Sequence, residues 1–260
     1  MNQLHSKSVV VGIDGSQAAV NAAKWAIDEA IRRQVPLRLV RVVGRPGTRS
    51  ASEKTSDWQV ESGEAMLHQA EVAVQSAARA AGRTVEVETV VLSGDPEQVL
   101  INESQDAALV CVGTDRRGWT ADKLLGTVEA ALVSRAHCPV AIIRSNPDGT
   151  AAEPGVIAVV LNDEPDNDEV VHQAMEEARR RNATVRQIDR RLNSWVRRYP
   201  DVPVQIVAAG TGVKSSENHS TAIELAVVGK ADADRIAELA TPNCHPIMGF
   251  PDCSVLVIRD

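Results

Sequence analysis

Aromatic side chains are nearly missing from this chain. Trp25, Trp58, Trp119, Trp195, Tyr199 and Phe250 make up 2% of 260 residues. The cores must therefore be built from Ala, Val, Ile and Leu, and a stacking platform for single-stranded nucleic acid lacks its rings. An excess of basic charge is missing too: 28 Lys and Arg stand against 35 Asp and Glu, a net charge of −7. Nucleic acid and anionic membrane are therefore poor partners. No run of 18 apolar residues occurs, and the N-terminus has no long apolar stretch, so neither a membrane span nor a signal peptide is expected. The expected location is cytoplasmic. The four cysteines (Cys111, Cys138, Cys244, Cys253) show no C-x-x-C spacing and are read as buried thiols rather than metal ligands. The arginine clusters at 179–181, 190–191 and 197–198 follow acidic residues and are read as solvated helix faces.

What the chain does have is a repeated pattern. Apolar runs rich in Val and Ile occur at Ser8–Ile13, Leu37–Val43, Val85–Leu92, Ala108–Gly113 and Pro139–Arg144. Helical spacing separates them, at Gln17–Arg33 (Ser16 as N-cap), Glu64–Ala81, Pro96–Ser104 and Val128–Ala136. Short, nearly continuous apolar runs alternating with helices predict a parallel sheet covered on both faces. The second half repeats the order. IAVVLNDE (Ile157–Glu164) lies over VVVGIDGS (Val9–Ser16), and EARRRNATVRQI (Glu177–Ile188) over EAIRRQVPLRLV (Glu29–Val40). Further on, LAVVG (Leu225–Gly229) lies over LVCVG (Leu109–Gly113), and CSVLVIR over CPVAIIR, at an offset about 32 residues smaller. The second copy has therefore lost a segment between its second and third strands, which predicts an under-covered sheet face. The expected architecture is α/β: two tandem doubly wound domains with five-stranded, mainly parallel sheets, at residues 1–146 and 156–260. Asn146–Gly155 is the linker, and Arg45–Val60 reads as a polar, mobile loop.

Two places carry chemistry. Asp14, in VGIDGS after Gly12, falls at the carboxyl end of the first strand, where open parallel sheets bind ligands. Its carboxylate suits a ribose hydroxyl or a metal, and equally an Asx turn. Gly113 closes the fourth strand, and Gly126-Thr127 opens a helix whose free N–H groups suit an anion. Taken with Asp14, this set favours a nucleotide pocket.

VGIDGS, LVRVV and the spacing of Gly113, Arg116, Gly126 and Thr127 before HCPVAIIR resemble the universal stress protein family, in its tandem-domain form common in mycobacteria and related actinobacteria. The resemblance covers the first copy and, in degenerate form, the second. It implies a Rossmann-like fold of the adenine nucleotide alpha hydrolase type and a site for ATP, with or without Mg2+. ATP-binding members carry G-x2-G-x9-G-[ST]; Gly113, Gly126 and Thr127 match it, while Arg116 stands where a glycine is usual. By the same resemblance Asp14 meets the ribose or phosphate region and the backbone near Val42 meets the adenine edge.

The second copy has lost this set. Asn162 replaces Asp14, Val160 replaces Gly12, and Asp232 and Pro242 fall where Arg116 and Gly126 stand in the first. The expected function is thus a cytoplasmic stress-response sensor or regulator that binds ATP in its first domain. Its second domain completes an intrachain pseudo-dimer, and a homodimer of tandem chains is compatible but not required. The alternative is a nucleotide-free scaffold in which both domains serve protein partners. An enzyme is not expected, beyond very weak ATPase activity, because no P-loop G-x-x-x-x-G-K-[ST] occurs.

Overall fold

A computed structural model describes residues 7–44, 53–114, 126–145, 156–160, 167–188, 197–207, 223–229 and 254–259. The chain divides into two compact units, with the boundary between them falling within the 146–155 linker.

In the first unit the order is β1 (Ser8–Gly12), α1 (Gln17–Arg33), β2 (Leu37–Val43), α2 (Glu53–Ala80), β3 (Val87–Ser93), α3 (Pro96–Glu103), β4 (Ala107–Thr114), α4 (Thr127–Arg135) and β5 (Val140–Arg144). The strands lie in the order β3-β2-β1-β4-β5, every pair parallel. Chain direction across the sheet reverses between β1 and β4, which makes their carboxyl ends the topological switch point. Val9, Val10, Val11, Leu109, Val110 and Cys111 in these two central strands are all buried. Helix α1 starts where Ser16 Oγ accepts the Ala19 N–H at 3.1 Å, the N-cap read from the sequence. Its small apolar residues Ala18, Ala22, Ala23, Ala26 and Ala30 are buried. Without large side chains on that face, helix and sheet approach closely, and a chain so poor in rings can still close its core.

One expectation is corrected. Arg45–Val60 is not wholly loop, because α2 begins at Glu53. Its early turns are polar, so no apolar stripe marks them in the sequence. The buried stripe starts later, with Gly63, Leu67, Ala70 and Val74.

The second unit runs β6 (Val156–Val160), α5 (Asn167–Arg181), β7 (Val185–Ile188), β8 (Val204–Val207), β9 (Ile223–Val228) and β10 (Ser254–Val257). Its strand order is β10-β9-β6-β7-β8, again all parallel. The lost segment is visible in the register: Leu37 pairs with Val87 in the first unit, but Val185 pairs with Val204 in the second. The 28-residue helix α2 is what the shorter connection omits. Residues 197–203, which lead into β8, lie beside α5. Tyr199 and Val202 are buried, and Tyr199 packs beside α5, bonded to His172 Nδ1 with the Arg179 guanidinium 4.8 Å from its ring centre. In the first unit the segment after α2 holds the corresponding place, through the ion pair of Arg83 with Asp28 of α1.

The arginines of α5 are more than a solvated face. Arg180 and Arg181 both pair with Glu177, which is fully buried, and Arg181 also pairs with Glu224. Arg197 and Arg198 are exposed, as expected, and Arg190 and Arg191 lie outside the described residues.

Candidate functional site

The switch point is built by the way β1 ends. After Gly12 the Ile13 N–H still donates to Val40 O at 2.8 Å, and then the chain leaves the sheet. Asp14 Oδ1 accepts the Ser16 N–H at 2.8 Å, closing an Asx turn around Gly15, whose φ of 91° suits glycine. The Asx-turn reading of Asp14 is therefore met. One carboxylate oxygen shapes the turn, and Oδ2 has no hydrogen-bond partner among the described residues. The side chain is exposed at the strand end.

Gly113 has a different reason to be glycine. A Cβ there would lie 2.5 Å from Ala19 N and closer still to the Ala18 carbonyl. The first turn of α1 thus rests directly on the end of β4, and no side chain fits between them. At the corresponding Gly229 a Cβ would meet, among the described residues, Val170 Cγ2 at an ordinary 3.4 Å.

An open cleft of about 170 Å³ lies over these strand ends. Val40 and Val42 of β2, Val112 of β4, and Pro96 and Leu100 of α3 give it aliphatic walls. Asp14, Arg41 and Glu129 are the charged residues on its lining. Pockets for whole small-molecule ligands run to roughly 300–1,000 Å³. This cleft is smaller than that range.

Backbone groups supply the polar edge. Leu37 N donates to Glu86 O and Val43 O accepts from Gly94 N, so the odd-numbered residues of β2 bond on the β3 side. Val40 O accepts from Ile13 N, so the even-numbered residues face β1. The β1–β2 register ends at Gly12 and Val40, while β2 continues to Val43. The Val42 N–H and C=O therefore face the space β1 has vacated, with no backbone partner among the described residues.

Of the residues expected from the sequence, Gly12, Asp14, Val42 and Gly113 come together around this cleft. Gly126 is the N-cap of α4 and Thr127 its first residue, both exposed, and the next two residues, Val128 and Glu129, line the cleft. Arg116 lies outside the described residues, as do Asn162, Asp232 and Pro242 of the second copy. Sequence reasoning missed the α3 wall, Arg41 and Glu129. Arg41 Nη1 donates to Ile13 O at 3.2 Å and so pins the segment leading into the Asp14 turn. Glu129 had a legible signal, an acidic residue three positions after a helix N-cap.

Cys111 lies below the site in β4. Burial, then the neighbouring Glu29 carboxylate, pushes its thiol well above the ordinary cysteine range. It is a core group with no nucleophilic character at neutral pH. Cys138 is also buried. Among the described residues no group of three His, Cys, Asp or Glu side chains is placed to hold a metal ion, and no helix is long and apolar enough to cross a membrane.

The model of the universal stress protein family matches residues 5–144. The chain is 39% identical over 269 residues to universal stress protein Rv2624c of Mycobacterium tuberculosis, covering 97% of this chain and 96% of that one. It is 35% identical over 278 residues to Rv3134c of the same organism, covering 98% and 96%. Among solved structures, a universal stress protein from Archaeoglobus fulgidus superposes with a TM-score of 0.66 at 14% identity, covering 98% of this chain and 96% of that one, a likeness of fold.

Proposed function

Because this chain belongs to the universal stress protein family, we propose that its first unit binds an adenine nucleotide in the cleft between β1 and β4, and that the protein works by reporting that occupancy in a stress response. The observation that carries this reading is the unpaired Val42 backbone edge, set between aliphatic walls at the switch point. One N–H donor and one C=O acceptor side by side complement the donor and acceptor on the adenine edge, and the valines and Leu100 cover its faces.

Asp14 Oδ2 stands ready to accept from a ribose hydroxyl. Gly126 and Thr127 at the start of α4 offer N–H groups, and Thr127 a hydroxyl, to phosphate. ATP is the form implied by the G-x2-x-x9-G-T spacing. The lining brings groups suited to binding, a backbone edge and a carboxylate between aliphatic walls.

Isothermal titration with ATP and AMP tests the reading. One site per chain is expected. Asp14→Ala should weaken binding by about tenfold, the worth of one charge-assisted hydrogen bond. Two equivalent sites per chain, no heat at millimolar nucleotide, or an Asp14→Ala protein that folds and binds unchanged would each defeat it.

A further inference from the structure

A carboxylate lies beside the start of α4. Gly126 caps the helix without a side-chain hydrogen bond, so the N-cap itself supplies nothing to the free N–H groups of the first turn. Glu129, the third residue of the helix, folds back instead. Its carboxylate lies against Gly126, with Oε1 3.2 Å from the point a Cβ would occupy and Oε2 nearer still. The side chain is half-buried on the cleft lining, and no basic side chain among the described residues pairs with it. A negative charge at this point is favourable to the helix dipole, and the ligand's phosphates would seek that same point.

We propose that Glu129 is a built-in competitor for the phosphate chain, so that the site grades adenine ligands by the charge they bring. The proposal rests on the nucleotide reading of the cleft. Adenosine meets the Val42 edge and Asp14 but brings no charge to Glu129. A monophosphate meets it at close range with a small charge. A triphosphate must displace the carboxylate or lie beside it, and like charges at such distances repel strongly in a partly desolvated cleft. Glu129 thus holds the affinity for ATP down and leaves that for the nucleoside untouched, which fits a protein that samples an abundant nucleotide.

Calorimetric titration of the full chain and of Glu129→Gln with adenosine, AMP and ATP in magnesium-free buffer tests this. Glutamine keeps the shape and removes the charge. The variant should bind ATP at least about tenfold more tightly than the unaltered chain, AMP about two- to threefold more tightly, and adenosine equally. If Glu129→Gln folds poorly, Glu129→Ser removes the carboxylate with a residue that still suits a helix start, and the same gradation is expected. A uniform shift for all three ligands, or no shift for ATP, would overturn the proposal while leaving nucleotide binding intact. Absence of binding by any protein to any of the three ligands would overturn the nucleotide reading itself, and this proposal with it.

Discussion

Glu29 in α1 and Glu177 in α5 occupy corresponding points of the two units, each buried and each paired with the arginines three and four residues further along its helix. Glu29 pairs with Arg32 at 2.5 Å and Arg33 at 3.3 Å, and Glu177 with Arg181 at 3.1 Å and with Arg180. Each helix then ends on a left-handed residue, Gln34 at φ 55° and Asn182 at φ 51°. The duplication has preserved a buried charge with its compensating partners, not merely an apolar pattern.

That conservation of arrangement predicts matched costs. Breaking a buried pair by removing one partner destabilises by roughly 3–5 kcal/mol. The arginines here reach solvent and can rehydrate, so Glu29→Ala and Glu177→Ala should each cost about 3 kcal/mol. Urea unfolding of the two variants checks this; a loss below 1 kcal/mol in either would show that its arginines were never committed to the pair.

Gly113 at the end of β4 predicts a local cost. Gly113→Ala drives a methyl group into the backbone of Ala18 and Ala19. Overpacking of a rigid neighbour costs typically 1–3 kcal/mol and sometimes more, so Gly113→Ala should lose about 3 kcal/mol. Thermal melts of the variant beside the unaltered chain measure the difference. No loss would mean that α1 shifts freely on β4.

Asp201 sets an acid limit on the second unit. Its carboxylate bonds Arg179 Nε at 2.5 Å and Nη2 at 2.8 Å, and these bonds lower its pKa to about 2 from the usual value of 3.8. A carboxyl whose folded pKa lies below its unfolded one adds stability that is fully present above the unfolded pKa and disappears as pH falls through the folded one. The contribution of Asp201 should therefore hold above about pH 4 and be lost between about pH 4 and pH 2. Asp201→Asn should lower stability at neutral pH by an amount that vanishes across that window, read from denaturant melts at a series of pH values. A difference that persists unchanged at pH 2 would assign the effect to packing on Tyr199 instead.

The sequence made some of this legible and hid the rest for identifiable reasons. Helix α1 and strand β2 are found at the bounds read from periodicity, since Ser16 marks the start of α1 and Val–Leu density marks β2. The duplication was legible because whole segments kept their spacing. The start of α2 was hidden, because a helix whose first turns carry no apolar stripe is written in polar residues. The pairing of Arg180 and Arg181 was hidden as well, because a run of like charges says nothing about a glutamate that only tertiary packing buries. At the site, Asp14 and Gly113 could be located from strand ends, but the α3 wall could not, since Pro96 and Leu100 reach the cleft only through the order of strands in the sheet. Glu129 was overlooked for a simpler reason: reading Gly126 and Thr127 as the anion-binding pair stops one turn short of the side chain that lies against Gly126.

Among the described residues, no tryptophan, tyrosine or phenylalanine lines the cleft, whose walls carry the methyl groups of Val40, Val42, Leu100, Val112 and Val128. The ring current of a bound purine would fall on those methyls, and their proton resonances would move in a pattern fixed by the tilt and depth of the base. With carbon-13 label on valine and leucine methyls alone, the orientation of the base becomes readable from nuclei already in place along the walls.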